Sequence, residues 1–338
     1  MKKTLIAALL ASVGLALLST PAMADFKTRN IRLSNGLAPD HPVADGVKAF
    51  NACLSEKSGG KTKITAYWSG SLGDDIQAVQ ALRSGVQEAV IPSSSPLVGL
   101  VPALGVFDLP FLFESEAQAD AVLDGEFGEF INKKFEEVGI INLAYWENGF
   151  RQVSNSKHPV TKWEDMEGLK IRVMQNNIFL DTFQNMGANA SPMAFSEIFS
   201  ALETKAIDAQ ENPYVTIDTS KFYEVQKYVS ATNHAYTPFL VLFSKRIFDR
   251  YSPEEQAALR ECAQVGGAKQ REVQRDLSVR SLAAIKAAGL EVNELSTEEK
   301  QRMREKAQVV YDKHTPTIGA DVVARVQESI RASREAAK

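Results

Sequence analysis

Residues 30–91 read NIRLSNGLAPDHPVADGVKAFNACLSEKSGGKTKITAYWSGSLGDDIQAVQALRSGVQEAVI. Three short strand-like runs alternate here with two amphipathic helices. Asn30-Ile31-Arg32-Leu33-Ser34 has the period-two alternation of a strand. After His41-Pro42, the apolar residues Val43, Val47, Phe50 and Leu54 recur at helical spacing, and Gly59-Gly60 stops the run. Lys63 to Tyr67 is a second strand. A turn at Ser69 to Gly73 leads to Asp74-Asp75, a natural helix cap, and the helix carrying Ile76, Val79 and Leu82 ends at Gly85. Glu88 to Ile91 closes the unit as a third strand. Strands and helices in this order fold as a parallel sheet covered by helices.

The same logic continues outward. Ser115 and Gln118 form a capping box for a helix expected to reach Val138-Gly139. Ile140 to Trp146 reads as a buried strand, and Gly168 to Met174 as another. Ala194 to Thr204 is an amphipathic helix, Ala206 to Ala209 begins a short strand, and Val241 to Ser244 is strand again. Beyond Arg250 the pattern turns helical. Ser252-Pro253-Glu254-Glu255 supplies a cap, a proline at the first position and acids in the first turn. That helix is either long or broken near Gly266-Gly267. Ser296 and Glu299 open a final helical region. With no repeat and no Pro/Ser-rich linker, two lobes joined by several crossing segments are expected.

The ends and the composition narrow the class. Lys2-Lys3, the apolar run Leu5 to Leu18 and Pro21-Ala22-Met23-Ala24 form the pattern of a secretory signal peptide over residues 1–24. The apolar run is shorter than the ~20 residues of a membrane span. Formal net charge is −4, a mildly acidic balance that argues against nucleic acid as a partner. Cys53 and Cys262 are the two cysteines, and buried free thiols are the expected state. The four histidines, 41, 158, 234 and 314, are scattered, and neither Gly-x-Ser-x-Gly nor His-Glu-x-x-His nor a phosphate loop is present. No enzyme, no metal and no organic cofactor is expected.

Three segments carry chemistry: Trp146-Glu147-Asn148-Gly149-Phe150-Arg151, Lys170-Ile171-Arg172-Val173 and Asp208-Ala209-Gln210-Glu211-Asn212-Pro213. Arg151, Arg172 and Asn212 fall at or near strand carboxyl ends, where open α/β sheets bind ligands. A guanidinium there clamps a carboxylate through two parallel hydrogen bonds, and an asparagine orients the same group. A small organic acid is the ligand this chemistry suits.

These segments resemble the periplasmic solute-binding proteins of TRAP (tripartite ATP-independent periplasmic) transporters, the DctP-type family. The resemblance runs over most of the chain after residue 24. It includes Ser71 to Asp75, Val106 to Phe113, Asp165 to Val173, Pro192 to Glu197, Gln210 to Pro213 and Lys221 to Tyr228. Lys205 and Ala209 stand where the family often has glycines. The resemblance implies a two-lobed α/β periplasmic binding protein fold. Each lobe is a mixed sheet flanked by helices, a long helix spans both, and the ligand cleft lies between. The first lobe is expected over residues 25–149 with a return at about 238–268, the second over 150–237 with about 269–338. It also implies that Arg172 forms the carboxylate salt bridge, assisted by Arg151 and Asn212.

Ala144 to Gly149, Ile207 to Gln210 and His234-Ala235-Tyr236 resemble the branch that binds sugar acids such as diketogulonate and uronates. Asp75, Gln175 and Phe195 match positions that contact the sugar body in the sialic-acid branch. Ser93 replaces a glutamate of that branch, which disfavours sialic acid, and His41 falls in a loop bordering the cleft. The expected partners are the membrane subunits of a TRAP transporter, and the expected state is a monomer in the periplasm. A receptor for a C4-dicarboxylate or a 2-oxo acid, or a sensor-associated binding protein, is the alternative.

Overall fold

The computed structural model describes residues 26–336, so the leader expected over residues 1–24 lies outside the described residues. The chain begins β1 (Arg29–Ser34), α1 (Val43–Lys57), β2 (Thr62–Tyr67), α2 (Asp75–Ser84) and β3 (Ala89–Val90). Then come α3 (Glu116–Leu123), α4 (Glu126–Glu137), β4 (Ile140–Phe150), β5 (Gln152–Asn155), β6 (Lys170–Val173), α5 (Asn177–Asn185) and β7 (Asn189–Pro192). Next are α6 (Ile198–Glu203), β8 (Ala209–Asn212), α7 (Tyr214–Thr219), β9 (Tyr228–Ala231), β10 (Tyr236–Ser244) and α8 (Lys245–Phe248). The chain ends with α9 (Pro253–Ala287), β11 (Glu291–Glu294), α10 (Thr297–Ile318) and α11 (Ala320–Ala336).

Two mixed sheets form two lobes. The first has the order β2-β1-β3-β10-β4, with β1 parallel to β2 and β3, and β10 antiparallel to β3 and β4. The second has the order β11-β9-β5-β8-β6-β7. The period-two reading of β1 holds: Ile31 and Leu33 are fully buried, while Arg32 turns out to pair with Glu88. Asp74 caps α2, with Gln77 Oε1 accepting from Asp74 N at 2.8 Å. β10 starts before Val241, at Tyr236, and passes through Pro238, whose missing N–H is accommodated at a register shift in the ladder. The chain crosses between sheets from β4 to β5, from β9 to β10, and along α9.

α9 is one unbroken helix of 35 residues, roughly 52 Å at 1.5 Å per residue. Its capping box is complete: Ser252 Oγ accepts from Glu255 N (3.2 Å) and Glu255 Oε2 from Ser252 N (2.8 Å). Its first half packs on α1 and β4 of the first lobe, and its later part on α7 of the second. Gly266 and Gly267 do not break it. They make room for Trp146, since a Cβ on Gly266 would lie 2.7 Å from the indole and 2.8 Å from Gly46 O. The indole Nε1 donates to Ala263 O at 2.9 Å.

Three expectations are corrected. Cys53 and Cys262 are not free thiols but a disulfide: α1 and α9 lie side by side, with the two Cα atoms 5.4 Å apart. The helix from Ser115 is two helices, because at Gly125 the chain passes so close to Ala121 O that an added Cβ would lie 2.6 Å from it. The C-terminal helices do not both belong to the second lobe. The start of α10 buries Met303 with the second-lobe core, whereas α11 buries Val322, Val326 and Ile330 against the first-lobe core.

Candidate functional site

A cleft lies where the two sheets meet. The first lobe lines it with Asp75 at the start of α2, Ser93 after β3 and Phe239 on β10. The second lobe contributes Arg172, Gln175, Phe195 and Asn212, and Arg151 enters from the β4–β5 crossover. The free space is about 50 Å³, well below the ~300–1,000 Å³ of a typical ligand site, so the lobes must part to admit a molecule of sugar size. A larger surface groove of about 580 Å³, lined among others by Arg275, Lys300 and Arg304, holds none of the expected residues.

Arg172 is held by β6, whose Ile171 and Val173 are buried on either side of it. Its Nε and Nη2 both donate to Met193 O, at 2.9 and 2.7 Å. Nη1 is buried with no hydrogen-bond partner, and an unsatisfied buried donor of this kind is costly. Burial pushes the guanidinium down to about 10, against the attraction of Glu211 and Asp75. Arg172 therefore stays charged at neutral pH.

Arg151 is fully buried and already occupied. Its Nε pairs with Glu211 Oε2, and its Nη2 donates to Glu211 Oε1 and Asn212 Oδ1, both at 3.0 Å. His234 Nε2 lies 3.1 Å from Glu211 Oε2. Burial alone would raise the Glu211 carboxyl, but the Arg151 charge and the His234 hydrogen bond outweigh it and hold it at about 2. The Asn212 amide is fixed from both ends, since its Nδ2 also donates to Gln210 Oε1 at 2.6 Å. That leaves one N–H of Asn212 uncommitted.

Across the cleft, Asp75 Oδ2 accepts from Ser93 N at 3.2 Å. Burial pushes this carboxyl up to about 7, with Asp74 adding to the rise and the Ser93 bond and Arg172 opposing it. Ser93 Oγ also reaches Met174 Sδ of the other lobe at 3.6 Å.

His41 does not line the cleft, contrary to expectation. Its ring is completely buried behind Phe239, edge-on at 5.9 Å between centroids, and its Nδ1 accepts from Val43 N at 3.3 Å. Its task is at the entry to α1. Burial pushes its pKa down to about 3, so it is neutral. Asn148 and Thr216 are among the lining residues that the sequence did not single out. Asn148 was visible in a quoted segment, and its Nδ2 donates to Thr237 Oγ1 at 3.1 Å. Thr216 showed only as a polar residue between Val215 and Ile217, on a helix too short to display a period.

Residues 33–316 match the family described as bacterial extracellular solute-binding protein, family 7, DctP. The crystal structure of the sugar acid binding protein DctPAm from Advenella mimigardefordensis in complex with galactonate is similar. It shares 43% identity at a TM-score of 0.89, over 91% of this chain and 100% of that one. The 2,3-diketo-L-gulonate-binding periplasmic protein YiaO of Escherichia coli is 37% identical, over 82% of this chain and 84% of YiaO. The C4-dicarboxylate-binding periplasmic protein DctP of Rhodobacter capsulatus is 30% identical, over 96% of this chain and 98% of that protein. With its two-sheet fold, its inter-lobe cleft and this match over most of its length, the chain belongs to the DctP family of TRAP solute-binding proteins.

Proposed function

We propose that this receptor binds a monocarboxylated sugar acid of hexose size, a hexonate or hexuronate, in preference to a small dicarboxylic acid. The observation that carries the reading is the contrast between the two arginines. Arg172 has a buried Nη1 with no partner, while Arg151 is committed to Glu211. One carboxylate therefore finds a cation, and a second finds none on the far wall. Among the lining residues of the first lobe the ionisable side chains are Asp74 and Asp75: they hydrogen-bond to hydroxyls and supply no cation for a second carboxylate, and Asp75, raised to about 7 by burial, accepts or donates according to its protonation. The similarity to a galactonate-bound protein and to a diketogulonate-binding protein points the same way.

In this reading the ligand carboxylate meets Arg172 Nη1 and the free N–H of Asn212, the lobes close and water leaves. Lower local dielectric then strengthens the ion pair, and hinge closure is the switch. Arg151 acts through Asn212, whose Oδ1 it holds, and through the charge it balances. The receptor catalyses no reaction. It is exported by the leader at residues 1–24, works as a monomer in the periplasm and delivers its ligand to TRAP membrane subunits that use an ion gradient.

Arg172→Ala tests the reading by calorimetry with D-galactonate, D-glucuronate and D-galacturonate. Removing one partner of a desolvated charge pair costs about 2–5 kcal/mol of binding. Affinities within about threefold of wild type for all three acids would contradict the assignment.

A further inference from the structure

We infer that Thr216 is a specificity-determining residue: its hydroxyl contacts the substituent on the carbon next to the ligand's carboxylate, selecting 2-hydroxy acids over 2-deoxy acids. This rests on the proposal that Arg172 holds the carboxylate. Thr216 lines the cleft and is only 1% exposed, yet its Oγ1 has no hydrogen-bond partner. That is unusual for a threonine on or next to a helix, where the hydroxyl commonly bonds to the carbonyl four residues back. Three others here do so. Thr182 bonds to Ile178 O at 2.7 Å, Thr204 to Ser200 O at 2.7 Å and Thr219 to Val215 O at 2.9 Å.

For Thr216 the residue four back is Asn212, which lies in β8 and is paired with Gln152 of β5. Its hydroxyl is therefore left for whatever occupies the cleft. A buried hydroxyl without a partner costs free energy, and a ligand that supplies the partner recovers it.

The placement says what that partner is. Asn212 and Thr216 are carried by one strand–helix turn through Pro213, so the hydroxyl and the Asn212 amide sit on the same wall as Arg172. A carboxylate taken by Arg172 and Asn212 brings its neighbouring carbon to this wall. A hydroxyl both donates and accepts, which suits the hydroxyl of an aldonate. Asp75 and Ser93, on the opposite lobe, are left to the far end of the chain of hydroxyls.

The test measures, by calorimetry, D-galactonate and 2-deoxy-D-galactonate against wild type, Thr216→Val, Thr216→Ser and Arg172→Ala. Thr216→Val keeps the shape and removes the hydroxyl. We expect it to weaken D-galactonate about tenfold or more while leaving 2-deoxy-D-galactonate within about threefold, and Thr216→Ser to restore the preference. Equal weakening of both acids by Thr216→Val, or no weakening of D-galactonate, overturns the inference. If Arg172→Ala also leaves binding intact, the carboxylate assignment falls with it; if Arg172→Ala abolishes binding, only the role of Thr216 falls. A wild type that binds neither aldonate overturns this inference alone, because the uronates test the sugar-acid reading separately.

Discussion

Arg151 donates to Glu211, Asn212 and Thr237, whereas Arg172 donates only to Met193 O and keeps Nη1 unpartnered. Both were legible in the sequence as strand-end arginines. Their division of labour was not, because it depends on Glu211 of β8 meeting Arg151, which directly precedes the paired strand β5, a contact set by tertiary register. Thr216 was hidden for a related reason: the sequence shows a polar residue, but not that its hydroxyl lacks a backbone acceptor. Asp108 is another buried group that only the structure reveals. It is 1% exposed and accepts from Ser95 Oγ (2.5 Å) and from Asn176 Nδ2 (2.6 Å), and burial pushes its carboxyl up to about 7. In the unfolded chain it titrates near 3.8. Between these values the folded protein holds a proton that the unfolded chain has released, so this group's contribution to stability falls as pH rises from about 4 to about 7. Thermal melts of Asp108→Asn, which keeps an acceptor for Asn176 and offers the Ser95 hydroxyl an N–H in place of an acceptor, should show a flatter decline over that window. A profile parallel to wild type would contradict the assignment.

At the scale of elements, caps were the most reliable signs. Asp74 and Gln77, Ser252 and Glu255, and Ser296 with Glu299 all start helices where the sequence placed them. Glycines were ambiguous signs because the same residue type serves opposite ends. Gly125 separates α3 from α4, while Gly266 and Gly267 let an intact helix approach Trp146 and α1. The disulfide belongs to that same helix contact. The two cysteines are 209 residues apart in sequence, and no local pattern reports that α1 and α9 become neighbours. Reducing the bond, or replacing both cysteines by alanine, should lower stability by about 2–5 kcal/mol, measured by chemical denaturation. Ligand affinity should be unchanged, since neither cysteine lines the cleft. Equal stability of the oxidised and fully reduced protein would contradict this structural role.

At the scale of the whole molecule, the cleft is a shared product of both lobes. Ser93 reaches Met174 across it, and Asn176 at the cap of α5 reaches Ser95 O (3.0 Å) and Asp108 of the first lobe. Two lobes joined by several segments were expected from the sequence, and the helix spanning both was implied by the family resemblance. The path of α10 and α11 back onto the first lobe was not legible, because amphipathic helices carry no mark of which core they will cover. The proposed ligand preference also belongs to this scale: among the lining residues Arg172 of the second lobe is the cation with an unpartnered donor, and the first lobe faces it with Asp74, Asp75 and Ser93. Competition calorimetry tests that claim most directly, with D-galactonate, D-glucuronate, D-galacturonate, succinate and malate titrated against the same wild-type protein. The best sugar acid should bind at least about tenfold tighter than either diacid, a difference of ~1.4 kcal/mol or more; succinate or malate binding tenfold tighter than every sugar acid would contradict it.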